Sequence, residues 1–203
     1  MEKKVFIFWD NSNIFISGRT VASEKEGEDA SYQLRLQFNN ILELASAGRD
    51  IECAIAVGSV PPELRHVWNK MEQSGIKVEL HERGLDSNKE QAVDQALQVH
   101  MLRKAFDYNG TPGIAVMLTG DGHGFLDGVG FHADLERMHK KGWGIEVIAW
   151  ERTCNSKLKK WASEVGTFIR LEDYYESVTF RDDYNGVIRR SKPLNLDNRI
   201  KST

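Results

Sequence analysis

Cysteine is scarce in this chain, long apolar runs are missing, and neither sign of charge dominates. Two cysteines, Cys53 and Cys154, in 203 residues exclude a disulfide-built scaffold and the clustered spacing of a zinc site. Cys53 falls within Ile51-Glu52-Cys53-Ala54-Ile55-Ala56-Val57, where a thiol reads as a small core hydrophobe. No stretch approaches the ~20 apolar residues that span a bilayer. Met1-Glu2-Lys3-Lys4 leads only into Val5-Phe6-Ile7-Phe8-Trp9 before Asp10, too short for the core of an export signal. A cytoplasmic location with no membrane partner is therefore expected. The net charge of −3 excludes a protein that coats nucleic acid by bulk electrostatics, although a small basic groove beside an acidic centre stays open. No Gly-x-Gly-x-x-Gly follows the first apolar run, which argues against a dinucleotide-binding domain. Internal repeats and low-complexity tracts are also missing.

What is present is a regular alternation of strand and helix signals. Hydrophobic content of 40% and charged content of 28% suit a soluble globular protein, and the length favours one α/β domain over two. Strands are expected near 4–9, 51–57, 76–81, 114–119 and 145–150, each rich in Val, Ile, Phe or Leu as strands covered on both faces are. Helices are expected over 32–47, 62–74, 89–106, 131–141 and 155–165, most of them closed by a glycine. This order predicts a mostly parallel central sheet of about five strands with helices on both faces. Segment 18–31, with Glu24, Glu26, Glu28 and Asp29, lacks periodicity and is expected to be a mobile loop. One domain is expected over 1–175. From about Arg181 the apolar pattern fades through Arg189-Arg190-Ser191-Lys192-Pro193, so 176–203 is read as a tail, disordered or docked on a partner.

Three acids stand where such a sheet gathers its chemistry. Asp10 follows the first apolar run directly and leads into Asn11-Ser12-Asn13. Asp121 follows Ile114-Ala115-Val116-Met117-Leu118-Thr119-Gly120, and Asp94 lies in a helix-period stretch among Ala92, Val93 and Ala96. Open α/β sheets bind ligands at the carboxyl ends of their strands. Carboxylates meeting there suit Mg²⁺ or Mn²⁺, and a cation so held activates water for attack on a phosphodiester. Each acid also has a plainer reading. Asp10 also reads as a turn brace and Asp121 as an ordinary turn residue, although their places at strand ends favour function, while an isolated helix carboxylate such as Asp94 is usually solvated.

The order and context of these pieces resemble the NYN domain family, a branch of the PIN-like metal-dependent ribonucleases. The resemblance rests on Phe8-Trp9-Asp10-Asn11-Ser12-Asn13-Ile14-Phe15, Val57-Gly58-Ser59-Val60-Pro61-Pro62, His81-Glu82-Arg83-Gly84, the helix Lys89 to Leu97 with Val93-Asp94-Gln95-Ala96, Leu118-Thr119-Gly120-Asp121-Gly122, and Val147-Ile148-Ala149-Trp150 before Leu158 and Trp161-Ala162. It covers residues 4–172. It implies a PIN-like Rossmannoid sheet and endoribonuclease activity on single-stranded or structured RNA. It also implies that Asp10, Asp94 and Asp121 are catalytic metal ligands and that Asn13 hydrogen-bonds within the first motif to hold that loop near ion or substrate.

One departure bears on activity. Where family members commonly carry a second acid two residues after the position of Asp121, this chain has His123, in Gly120-Asp121-Gly122-His123-Gly124-Phe125. Neutral imidazole is a poor Mg²⁺ ligand and a better one for Mn²⁺ or zinc. Asp127, reached through extra glycines, is the candidate replacement ligand, and His123 a candidate phosphate contact. If nothing replaces the acid, the alternative is an RNA- or protein-binding module without catalysis. Arg83 and Lys89 flank a loop at the same edge and are the candidate phosphate contacts. Lys157, Lys159, Lys160 and Trp161 read equally as a backbone-tracking surface and as a solvated helix face. A homodimer through the tail or an exposed sheet edge stays open.

Overall fold

Alternate residues of the first apolar run face opposite sides of one sheet, and each side has its own core. Val5, Ile7 and Trp9 pack with Ile14, Val21, Ile41 and Leu44 on one face. Phe6 and Phe8 pack with Leu97, Met101, Phe131, Leu135 and Leu158 on the other. A computed structural model describes residues 3–60, 69, 71–82, 88–122, 128–183 and 185–202, with side chains at all of these but 59, 60, 79–82 and 88–94.

The chain runs β1 (Val5–Asp10), α1 (Asn11–Glu26), α2 (Glu28–Gln33), β2 (Leu34–Leu36), α3 (Phe38–Ser46), β3 (Ile51–Val60), β4 (Lys77–Glu82), α4 (Asn88–Asp107), β5 (Ile114–Leu118), α5 (Gly130–Lys140), β6 (Gly144–Ala149), α6 (Ser156–Val165), β7 (Thr167–Arg170), a 3-10 turn (Leu171–Tyr174), α7 (Tyr175–Val178), β8 (Thr179–Asp183) and β9 (Gly186–Arg189). The six-stranded sheet has the order β4-β3-β1-β5-β6-β7, parallel at every pairing. From β1 the chain builds outward through β3 and β4, then returns to the other side of β1 with β5. The strand order therefore reverses between β1 and β5, which is where open sheets of this class form their ligand crevice.

Four expectations from sequence change. The sheet gains β7, a strand of four residues too short to stand out. Segment 18–31 is helical, not a loop: α1 runs to Glu26 and buries only Ile14, Gly18, Val21 and Ala22, a narrow apolar stripe that its charges mask. The helix expected over 32–47 holds only as α3, because Leu34–Leu36 pairs antiparallel with β8, a case of tertiary pairing overriding local preference.

The tail expected after residue 176 packs on the chain's own body. β2, β8 and β9 make a three-stranded sheet. Arg199 and Glu146 are buried and joined at 2.6 Å, with Arg49 on the same carboxylate at 2.8 Å and Ser202 N–H donating to it at 2.7 Å. The helix expected over 62–74 lies largely outside the described residues; residues 71–73 are helical and Met71 is buried.

Candidate active site at the carboxyl end of the first strand

Asp10 ends β1 and caps α1, so its placement follows from the change of element at that residue. Its Oδ1 accepts the Asn13 backbone N–H at 3.0 Å, the usual way an aspartate satisfies an open helix N-terminus. Its Oδ2 accepts the Thr119 hydroxyl at 3.1 Å. That hydroxyl in turn accepts the Asp121 backbone N–H at 3.1 Å, so one threonine ties the two acidic loops together. The Asn13 amide oxygen closes the join from the other side by accepting Gly120 N–H at 2.8 Å.

A third segment braces the loop after β5. Asn155 caps α6 by accepting Lys157 and Leu158 N–H groups, and its own N–H donates to the Gly120 carbonyl at 2.9 Å. The approach is close enough that a Cβ on Gly122 would lie 2.5 Å from the Asn155 Cγ. Above β6, the Trp150 indole N–H donates to the Ile14 carbonyl at 2.8 Å, which locks α1 across the same edge.

Asp10 is 4% exposed. Burial pushes its carboxyl up to about 6; the Asn13 and Thr119 hydrogen bonds oppose the rise and the neighbouring Asp121 charge adds to it. The amide oxygen of the next residue, Asn11, is buried and has no hydrogen-bond partner among the described residues. The two neighbouring carboxylates at the switch crevice supply oxygen donors, the type that suits a hard divalent cation. Among the described side chains, no three of the His, Cys, Asp or Glu type converge as a metal cluster.

The other expected site residues are distributed as follows. Asp94 lies in the second turn of α4, which packs on β3, β1 and β4. It stands three and seven residues before the buried Leu97 and Met101. Lys89 lies in the first turn of the same helix. Arg83, His123 and Asp127, and the side chains of Lys89 and Asp94, lie outside the described residues.

Lys159 pairs with Glu151 and Lys160 with Glu164, while Trp161 packs against the core with His132, so the structure supports the solvated-face reading of α6. The sequence alone does not single out Thr119 and Asn155. The available signals were a hydroxyl residue before Gly-Asp at a strand end and an asparagine just before a helix-period run. Burial pushes the Cys154 thiol up to about 12 and that of Cys53 up to about 11, which leaves neither as a nucleophile at neutral pH.

The NYN domain pattern matches residues 4–172. This chain belongs to the NYN domain family. That places it in the PIN-like nuclease superfamily. Among solved structures it is similar to a protein of unknown function from Vibrio parahaemolyticus, with a TM-score of 0.60 and 16% identity over 85% of this chain and 94% of that one, a likeness of fold. No curated protein matches it. Among the described residues, no helix of this NYN protein is long and apolar enough to cross a membrane.

Proposed function

We propose that this NYN domain is a metal-dependent endoribonuclease that hydrolyses RNA phosphodiester bonds at the crevice between β1 and β5, acting in the cytoplasm. The observation that carries the reading is the buried Asp10 carboxylate, held at the switch point and joined to the Asp121 loop through Thr119. Burying a carboxylate where its ionised form is disfavoured costs stability, and a cation partner offsets that cost.

Asp10 and Asp121 are the residues that would hold Mg²⁺ or Mn²⁺, with Asp94 approaching from α4 and Asp127 as a further ligand. The bound cation supplies Lewis-acid activation of water and neutralises charge on the phosphate. The chain's own contribution is placement. Thr119 and Asn13 fix the Asp10 carboxylate and the loop after β5, and Asn155 holds that loop from behind. Arg83, Lys89 and His123 are assigned to the phosphate backbone, which gives a site of this kind its orientation.

The test is cleavage of labelled RNA and DNA oligonucleotides with Mn²⁺, Mg²⁺ or EDTA, with Asp10→Asn and Asp121→Asn beside the wild type. Metal-dependent RNA products lost in both folded variants are expected. Products undiminished in both variants refute the assignment. RNA binding without products assigns the non-catalytic module instead, with His123 in the acid position as its cause.

A further inference from the structure

One side of α1, half-buried at Ser12 and Arg19 and exposed at Ile16, leads outward from the proposed active site. Ser12, Ile16 and Arg19 stand at i, i+4 and i+7 and so share one side of the helix. Seven residues at the α-helical rise carry this line about 10 Å from the site. At its far end Tyr32, on α2, is 73% exposed, and Ile16 between is 51% exposed. A tyrosine this open on a monomer surface has no packing reason to stay in one place, yet this one is held.

The Arg19 guanidinium lies over the Tyr32 ring at 5.3 Å from its centroid. Arg19 is itself anchored, its Nε donating to the Ser31 carbonyl at 2.9 Å. From the following strand, Arg35 donates to the carbonyls of Tyr32 and Leu34 at 3.0 and 2.8 Å, and its Nε pairs with Asp182 at 3.0 Å. The aromatic ring is thus preset by one arginine and its backbone by another. Presetting removes much of the entropy cost that a mobile surface tyrosine pays on binding.

A held, solvent-facing ring with a guanidinium beside it is what a nucleobase stacks on, because every base has a π-face and the cation adds to the attraction. Resting on the ribonuclease reading, we propose that Tyr32, with Arg19, is a stacking platform for a base of single-stranded RNA that leaves the active site along α1. Ile16 supplies apolar contact on the way. Glu28 and Asp29 lie on α2 one turn before Tyr32, so the platform draws on stacking more than on charge, and its contribution survives added salt better than a phosphate contact does.

The experiment measures affinity for a fluorescein-labelled single-stranded oligoribonucleotide by anisotropy in EDTA, at low and moderate salt, with cleavage in Mn²⁺ run in parallel. Tyr32→Ala is expected to weaken binding roughly 5- to 150-fold, the loss that follows removal of one stacking aromatic, with a similar factor at both salt concentrations. Tyr32→Phe is expected to restore it, and both variants, changed at an exposed position, to keep the wild-type melting temperature. Unchanged affinity in Tyr32→Ala overturns the platform, as does wild-type protein with no affinity for the oligonucleotide. Asp10-dependent products with unchanged Tyr32→Ala affinity remove the platform alone and leave the nuclease standing. Tyr32-dependent binding with no products in Mg²⁺ or Mn²⁺ does the reverse.

Discussion

Replacing Asp10 by asparagine should make the metal-free protein more stable at neutral pH while removing its activity. Folding moves this carboxyl from 3.8 to about 6, chiefly through burial. The folded state therefore holds the proton more tightly than the unfolded chain does. The carboxyl costs nothing below 3.8, and its cost grows as pH rises and is complete above 6, where it amounts to about 3 kcal/mol. Asparagine has the same shape and carries no charge, so it escapes that cost and keeps an oxygen for the Asn13 N–H. It loses one bond: the Thr119 hydroxyl now donates to Asp10 Oδ2 and would face an amide that also donates. That loss is worth about 1 kcal/mol. The net gain of about 2 kcal/mol raises the melting temperature of a chain this size by about 4–8 °C. Calorimetry in EDTA at pH 8 should show the rise, and at pH 4.5 the gain should vanish. Mg²⁺ should raise the wild-type melting temperature by mass action and leave the variant unmoved. A variant that melts below the wild type at both pH values would show that Asp10 is a structural cap and not a strained ligand.

Two further outcomes follow from packing. Gly122→Ala places a Cβ 2.5 Å from the Asn155 Cγ, so it should displace the α6 cap, lower stability by about 1 kcal/mol and reduce cleavage at least about tenfold by shifting the Asp121 loop; denaturant melts and initial rates check both. Arg199→Ala leaves the buried Glu146 short of one partner and should cost about 3 kcal/mol in urea unfolding. Burial alone would raise the Glu146 carboxyl, but its bonds to Arg49 and Arg199 outweigh burial and hold it below the usual glutamate range. Its stabilisation is full at neutral pH and is lost as pH falls through that depressed value, so Arg199→Ala should also unfold at higher pH during acid titration than the wild type.

The parts of the fold most legible from sequence are the strands buried nearly throughout. β1, β5 and β6 lie close to expected strands because a strand covered on both faces is apolar nearly throughout, and β3 and the edge strand β4 also lie close to expected strands. What the sequence concealed is held by partners distant in the chain. Leu34–Leu36 reads as helix until β8 supplies a strand to pair with. Residues 179–189 read as tail because their partners are the far end of α1 and a three-residue strand. Arg199 falls within the same expected tail, and nothing local announces its buried partners, the Leu44 carbonyl 155 residues earlier and the Glu146 carboxylate 53 residues earlier. The site divides the same way. Asp10 and Asp121 stand at strand ends and were visible, whereas Thr119 and Asn155 act by hydrogen bonds between loops and leave only a local trace.

Helix α1 is where these hidden contacts and the candidate chemistry meet. Its first turn is fixed by the Asp10 cap and its Asn13 side chain reaches Gly120. Its middle is pinned by the Trp150 indole on the Ile14 carbonyl, with Gly18 so near the same ring that a Cβ would lie 3.2 Å from the indole nitrogen. At its end Glu26 accepts from Arg181 at 2.7 Å and pairs with Arg189 at 3.3 Å, so the C-terminal hairpin grips the helix that Asp10 caps. The family match ends at residue 172, yet both arginines lie beyond it. The packing that secures α1 therefore extends past the residues the family pattern marks.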